Sequence, residues 1–197
     1  MNGLMKRMML VLVLAALLAA GTTIEAQDLI DSGESEPYHP GLVSFRLGVY
    51  YHNQGDFERA LAEFTETVDG LPSWGTGYAA RGDTYIALGL YEEAIADYSE
   101  AVAIFPDYVS AIYTRGRAYH AIGETALAEA DYANAIEQMP DYAPAYWGLG
   151  DLLFEQGQTQ AALEQYQLYL ALTTDAPDAD VVARVTQLEI VAMAEMG

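Results

Sequence analysis

Hydrophobic positions change their spacing twice along this chain. Residues 8–20 (MMLVLVLAALLAA) form one unbroken apolar run. Residues 27–40 (QDLIDSGESEPYHP) are polar and acidic, with Pro37 and Pro40 near their end. From residue 41 onward apolar positions recur three and four apart, the spacing of residues that share one face of an α-helix. The pattern predicts an N-terminal leader over 1–26, a flexible spacer over 27–40, and then an all-α fold.

The helical part repeats itself. Glycines stand at 48, 82, 116 and 150, and again at 55, 89, 123 and 157, both series in steps of 34 residues. Ala60, Ala94, Ala128 and Ala162 keep the same step, as do Phe64, Tyr98, Tyr132 and Tyr166. Pro72, Pro106 and Pro140 close three of the units. These five columns define units at 41–74, 75–108, 109–142 and 143–176. Each unit reads as two helices. The first carries the small Gly and, three residues on, Tyr51, Tyr85, Tyr119 or Leu153. The second carries the Ala and, four residues on, the aromatic. Small residues at these points let the two helices approach, and the aromatic fills the space beside them. The second glycine column suits the turn, where glycine adopts left-handed backbone angles at little cost. Proline then stops the second helix. Neither helix buries its apolar face alone, so stacked neighbours must supply the core.

These columns resemble the tetratricopeptide-repeat (TPR) family, whose pattern runs large residue, L-G, Y, A, F/Y and P over 34 residues. Units two and three carry it most fully, in ARGDTYIALGLYEEAIADYSEAVAIFP and TRGRAYHAIGETALAEADYANAIEQMP. Unit one departs at Thr67 and unit four at Tyr169 and Thr174, which suits terminal units with different neighbours. The resemblance implies a right-handed α-solenoid of four helix-turn-helix units that binds a protein or peptide. It also implies a concave face lined by each unit's first helix. The candidate groove residues on that basis are Phe45, Arg46 and His52 in unit one and Asp83 in unit two. Unit three offers Tyr113, Arg117 and His120, and unit four offers Trp147, Asp151 and Phe154. Trp, Tyr and Arg are the usual anchors of binding hot spots, and a peptide with an apolar anchor and a carboxylate would suit this set. The family's chaperone-binding members hold a terminal carboxylate with Lys, Asn and Arg. Phe45, Val49 and Ala80 stand where several of those should be, which argues against that role here.

Two arginines outside the groove set have a different reading. Arg81 and Arg115 precede the first glycine of units two and three, and Asp97 and Asp131 follow them by sixteen residues. Units one and four have Leu47 and Leu149 at the Arg position, with Glu63 and Gln165 opposite. Arg occurs only where Asp occurs, so two structural ion pairs are expected, Arg81–Asp97 and Arg115–Asp131. Past the repeats, Val181, Val185 and Leu188 have helical spacing behind the start signal Pro177-Asp178. Residues 177–197 are therefore expected to form a helix that caps the open end of unit four. Docking of that helix on another chain is the alternative.

Charge narrows the partners. The chain has 8 Lys plus Arg against 29 Asp plus Glu, a formal net charge of -21. Such a chain repels phosphate backbones and anionic lipid heads, so nucleic acid is not an expected partner. There is no cysteine, which excludes disulfides, thiolate metal sites, cysteine nucleophiles and a lipid-bearing cysteine anchor. His39, His52 and His120 have no His or Cys three or four residues away. Asp175, Asp178 and Asp180 resemble half of a calcium loop, but its Gly and terminal Glu are missing. No nucleophile elbow, phosphate-binding loop or zinc-protease motif occurs. The expectation is a non-enzymatic protein with no metal and no cofactor.

The leader has the layout of a secretory signal. Lys6 and Arg7 precede the apolar run, and Gly21-Thr22-Thr23 follows it. Thirteen residues at 1.5 Å rise fall short of a hydrocarbon core of about 30 Å. Cleavage after Gly21 or Ala26 is expected, with retention as an anchoring helix as the alternative. The mature chain is expected outside the cytoplasm (periplasmic, cell-surface or secreted) without membrane insertion. The function expected is a scaffold for a protein or peptide, with self-association through the solenoid ends as the competing reading.

Overall fold

The structure, a computed structural model, describes residues 39–173 and 178–195. The expected leader and residues 27–38 of the expected spacer lie outside the described residues. Among the described residues there are nine α-helices and no strand. They are α1 (Pro40–Asn53), α2 (Phe57–Gly70), α3 (Gly75–Leu88), α4 (Tyr91–Ile104), α5 (Val109–Ala121), α6 (Thr125–Gln138), α7 (Ala143–Glu155), α8 (Thr159–Leu172) and α9 (Ala179–Glu195). Helices α1 to α8 are the four predicted pairs, and the described residues form an all-α repeat solenoid.

The glycine and aromatic columns explain why each pair closes. Phe64, Tyr98, Tyr132 and Tyr166 have at most 1% of their surface exposed. Each ring lies against the glycine column of its own unit's first helix. A Cβ on Gly48 would sit 2.6 Å from Phe64, and one on Gly150 would sit 2.7 Å from Tyr166. The absence of that carbon is what lets the ring in. Burial of each such ring stabilises by roughly 1.5–3 kcal/mol. Ala60, Ala94, Ala128 and Ala162 are fully buried at the same crossing.

The turns inside each pair are identical in design. Gly55, Gly89, Gly123 and Gly157 have φ between 73° and 81°. The residue after each glycine returns its N–H to the Tyr51, Tyr85, Tyr119 or Leu153 carbonyl at 2.9 Å. This six-residue bond satisfies carbonyls that the helix end would leave open.

Stacking of units supplies the rest of the core. Val109, Ile112, Ala135 and Ala145 form one cluster joining units three and four. Val181, Val185 and Leu188 of α9 are buried against Tyr166, Tyr169 and Leu163 of unit four. Helix α9 thus packs on its own chain. Pro177 lies outside the described residues. The start of α9 is held by Asp178, whose Oδ1 accepts from the Asp180 N–H at 2.8 Å.

One boundary needs correction. The spacer was expected to run to residue 40. Pro40 is instead the first residue of α1, and His39 Nδ1 accepts from the Gly41 N–H at 3.2 Å. Proline has the φ of a first helical turn and needs no donor partner there, so the helix starts on it.

Candidate partner-binding groove

The ninth position of each unit, on its first helix, carries Val49, Asp83, Arg117 and Asp151. In units two and four the acid meets the buried tyrosine of the second helix. Tyr98 donates to Asp83 Oδ1 at 2.5 Å and Tyr166 donates to Asp151 Oδ1 at 2.6 Å. Burial, then the Asp83 charge, pushes the Tyr98 hydroxyl pKa upward. Unit one has Phe64 and Val49, with neither hydroxyl nor acid. Unit three has Tyr132 and Arg117, a hydroxyl facing a cation.

A cavity of about 510 Å³ opens there, between α5 and α7. Tyr113, Arg117, His120 and Ala121 form one wall, Trp147, Gly148, Asp151 and Glu155 the other, and Tyr132 of α6 closes it. The structure therefore brings Tyr113, Arg117, His120, Trp147 and Asp151 of the candidate set around one space. The Arg117 guanidinium lies 5.9 Å from the centre of the Tyr113 ring. It makes no ion pair among the described residues. Burial pushes the Tyr113, Tyr132 and Tyr142 hydroxyl pKa values up, and the Arg117 charge opposes the shift at all three. Trp147 packs against Tyr169, with ring centres 5.6 Å apart. His120 Nε2 lies 2.9 Å from Glu155 Oε2 and links units three and four across the rim.

The other candidates do not line this cavity. Phe45 packs edge-on against Trp74 at 4.6 Å and tilts over Phe64 at 5.8 Å, within the unit-one aromatic cluster. Arg46 is exposed. Thr84 gives its hydroxyl proton to the Ala80 carbonyl, so His52 Nδ1 donates to Thr84 Oγ1 at 2.9 Å, tying unit one to unit two. Phe154 is 40% exposed, with the Arg184 guanidinium 5.2 Å from its ring centre.

Two residues of this region escaped the sequence reading. Tyr132 read only as a core filler, because its column is buried in every unit. Arg184 read only as part of a cap. It reaches from α9 to Asp151 Oδ1 and to the Tyr166 hydroxyl, the latter at 3.0 Å. Its signal was weak: a lone arginine between Val181 and Val185, on a helix that repeats the role of a first helix.

Away from the groove, Arg81 and Arg115 form forks with their aspartates. Arg81 Nε and Nη2 donate to Asp97 at 2.7 and 2.8 Å. Arg115 Nε and Nη2 donate to Asp131, both at 2.8 Å. The remaining nitrogens reach back one unit, to Thr65 and Ser99 at 3.3 Å. The aspartates hold the arginines charged, and their pKa values rise. Among the described residues no group of three or more His, Asp or Glu could hold a metal ion. No described helix is long and apolar enough to cross a membrane.

Comparison with known proteins places the fold. Residues 82–123 match a family model described as TPR repeat, and residues 113–178 match one described as Tetratricopeptide repeat. These are tetratricopeptide repeats. No curated protein matches the chain by sequence. The crystal structure of MamA protein is similar at TM-score 0.70 and 22% identity, over 76% of this chain and 81% of that one. PilF of Pseudomonas aeruginosa is similar at TM-score 0.70 and 17% identity, over 79% and 70%. The first TPR of Spaghetti (RPAP3), solved bound to the HSP90 peptide SRMEEVD, is similar at TM-score 0.59 and 26% identity, over 64% and 99%. TPR domains generally mediate protein–protein interaction and are generally non-catalytic scaffolds.

Proposed function

We propose that this TPR protein is a non-enzymatic scaffold that binds a protein or peptide partner in the groove between α5 and α7, outside the cytoplasm. The observation that carries the reading is Arg117, a guanidinium that makes no ion pair among the described residues and lies beside Trp147 and Tyr113 in an open cavity. In a chain of net charge -21, such a cation at an aromatic site is a specific attraction for an acidic group of a partner. The peptide-bound TPR of Spaghetti supports a peptide as the kind of occupant. The basic and apolar leader supports export.

The experiment immobilises the purified protein and captures partners from the host's extracytoplasmic fraction. A second column carries Arg117→Glu with Trp147→Ala. A partner held by the native column and lost from the variant supports the groove. A partner held equally by both moves the site elsewhere. Export is tested by N-terminal sequencing of the protein recovered from that fraction. A start at Thr22 or Gln27 supports it, and recovery only from the cytoplasm overturns it.

Self-association is a second reading, favoured by Val182 and Ile190 of α9, which are 39% and 63% exposed. Light scattering across concentrations tests it, and a constant monomer mass rejects it.

A further inference from the structure

We propose that the Tyr132 hydroxyl and the Arg117 guanidinium together bind the side-chain carboxylate of an aspartate or glutamate in a partner peptide. The proposal rests on the reading of the groove as a partner site and names the group it recognises.

The repeat supplies the argument. Where a unit has a tyrosine in the aromatic column and an acid at its ninth position, the two bond directly, as at Tyr98–Asp83 and Tyr166–Asp151. Where it lacks the hydroxyl, at Phe64, it also lacks the acid, at Val49. Unit three alone keeps the hydroxyl and replaces the acid, with Arg117. Tyr132 is 1% exposed overall and its hydroxyl has no hydrogen-bond partner among the described residues, where no fully buried side-chain polar atom goes without one, so the hydroxyl is the part of Tyr132 that reaches the open cavity. Tyr132 lines the cavity, so a ligand can supply the partner.

Gly148 opens the approach. A Cβ there would stand 2.8 Å from the ring carbon of Tyr132 that bears the hydroxyl. The other units carry Arg46, Ala80 and Thr114 at this position. The neighbouring unit shows the complete arrangement: the Tyr166 hydroxyl and Arg184 meet on one oxygen of Asp151. In unit three the tyrosine and the arginine are present, and among the described residues no carboxylate bonds to them. The acids at the rim are already engaged, Asp151 by Tyr166 and Arg184, Glu155 by His120. In the internal template the carboxylate comes from an aspartate side chain, so a side chain is the source expected in the ligand.

The test titrates the purified protein with the blocked dipeptides acetyl-Phe-Asp-amide and acetyl-Phe-Asn-amide, which differ in one charged group. Binding is followed by the NMR signal of the Trp147 indole N–H. The aspartate peptide is expected to bind at least tenfold more tightly, since a charge-assisted hydrogen bond is worth about that or more. Tyr132→Phe removes the hydroxyl alone and is expected to fold, because unit one already uses Phe64 in this column. It should cut the preference to threefold or less, while Tyr98→Phe leaves it intact. Equal binding of the two peptides, or an unchanged preference in Tyr132→Phe, overturns the proposal. So does selective binding of acetyl-Phe-Ala with a free terminus, which would assign the site to chain ends. None of these outcomes touches the scaffold reading, which stands or falls on the captured partner.

Discussion

Arg115 and Asp131 face each other across α5 and α6 as a two-pronged fork, with Nε and Nη2 both 2.8 Å from the carboxylate oxygens. The side chains are 18% and 9% exposed. Removing one member leaves the other charge desolvated, which costs about 3–5 kcal/mol for a fully buried pair. Residual solvent access lowers this to about 2–3 kcal/mol here. Arg115→Leu should therefore lower the melting midpoint by about 5–10 °C in a circular-dichroism melt. Adding Asp131→Gln copies the Leu149 and Gln165 combination of unit four and should recover most of the loss. A single variant as stable as the native protein would show that the fork contributes nothing.

The glycine–aromatic contact predicts a ranking. Overpacking costs about 1–3 kcal/mol, whereas replacing a mid-helix glycine by alanine gains about 1 kcal/mol of helix propensity. A Cβ on Gly150 would stand 2.7 Å from Tyr166, but one on Gly82 only 3.1 Å from Tyr98. Gly150→Ala should destabilise by about 1–2 kcal/mol and Gly82→Ala by close to nothing. Urea midpoints compare them, and the reverse order would refute the steric account.

Arg184 ties α9 to unit four through Asp151 and Tyr166. Its side chain is 40% exposed, so the contact is worth about 1 kcal/mol after screening. Arg184→Ala should speed amide hydrogen exchange in α9 about fivefold and leave α3 to α6 unchanged. Uniform exchange rates throughout would remove Arg184 from the docking of this helix.

Glu63 provides a pH signature. Burial raises its pKa above the ordinary 4.5, with the Ser44 hydrogen bond opposing and the Glu66 charge adding to the rise. The fold thus favours the protonated acid. Its contribution to stability is complete below the unfolded value and declines as pH rises through that value toward the folded one. Glu63→Gln should raise the melting midpoint at pH 7 and leave it unchanged near pH 3. An equal gain at both values would point to a cause other than ionisation.

Much of the fold was legible as spacing. Helix pairs, turn glycines and the Gly-to-ring contacts are local or nearly local features, separated by a fixed number of residues, so columns 34 apart predict them. An arginine and an aspartate sixteen apart, present in the same two units, are also visible as a pattern. The candidate groove positions came from the family resemblance, by place within each first helix. The use made of those positions did not. Asp83, Arg117 and Asp151 share one column, yet the first and last are engaged by tyrosine hydroxyls and the middle one faces a cavity. That difference depends on a ring from the second helix and on the missing Cβ of Gly148 in the next unit. Arg184 acts on a carboxylate 33 residues before it, and His39 acts as a cap only because α1 begins at Pro40. The chain's own pattern thus specified which helices form and pair, because those interactions are short-range and periodic. Which polar groups are satisfied and which face an open cavity was set by how neighbouring units and α9 stack, since that geometry comes from packing of side chains far apart along the chain.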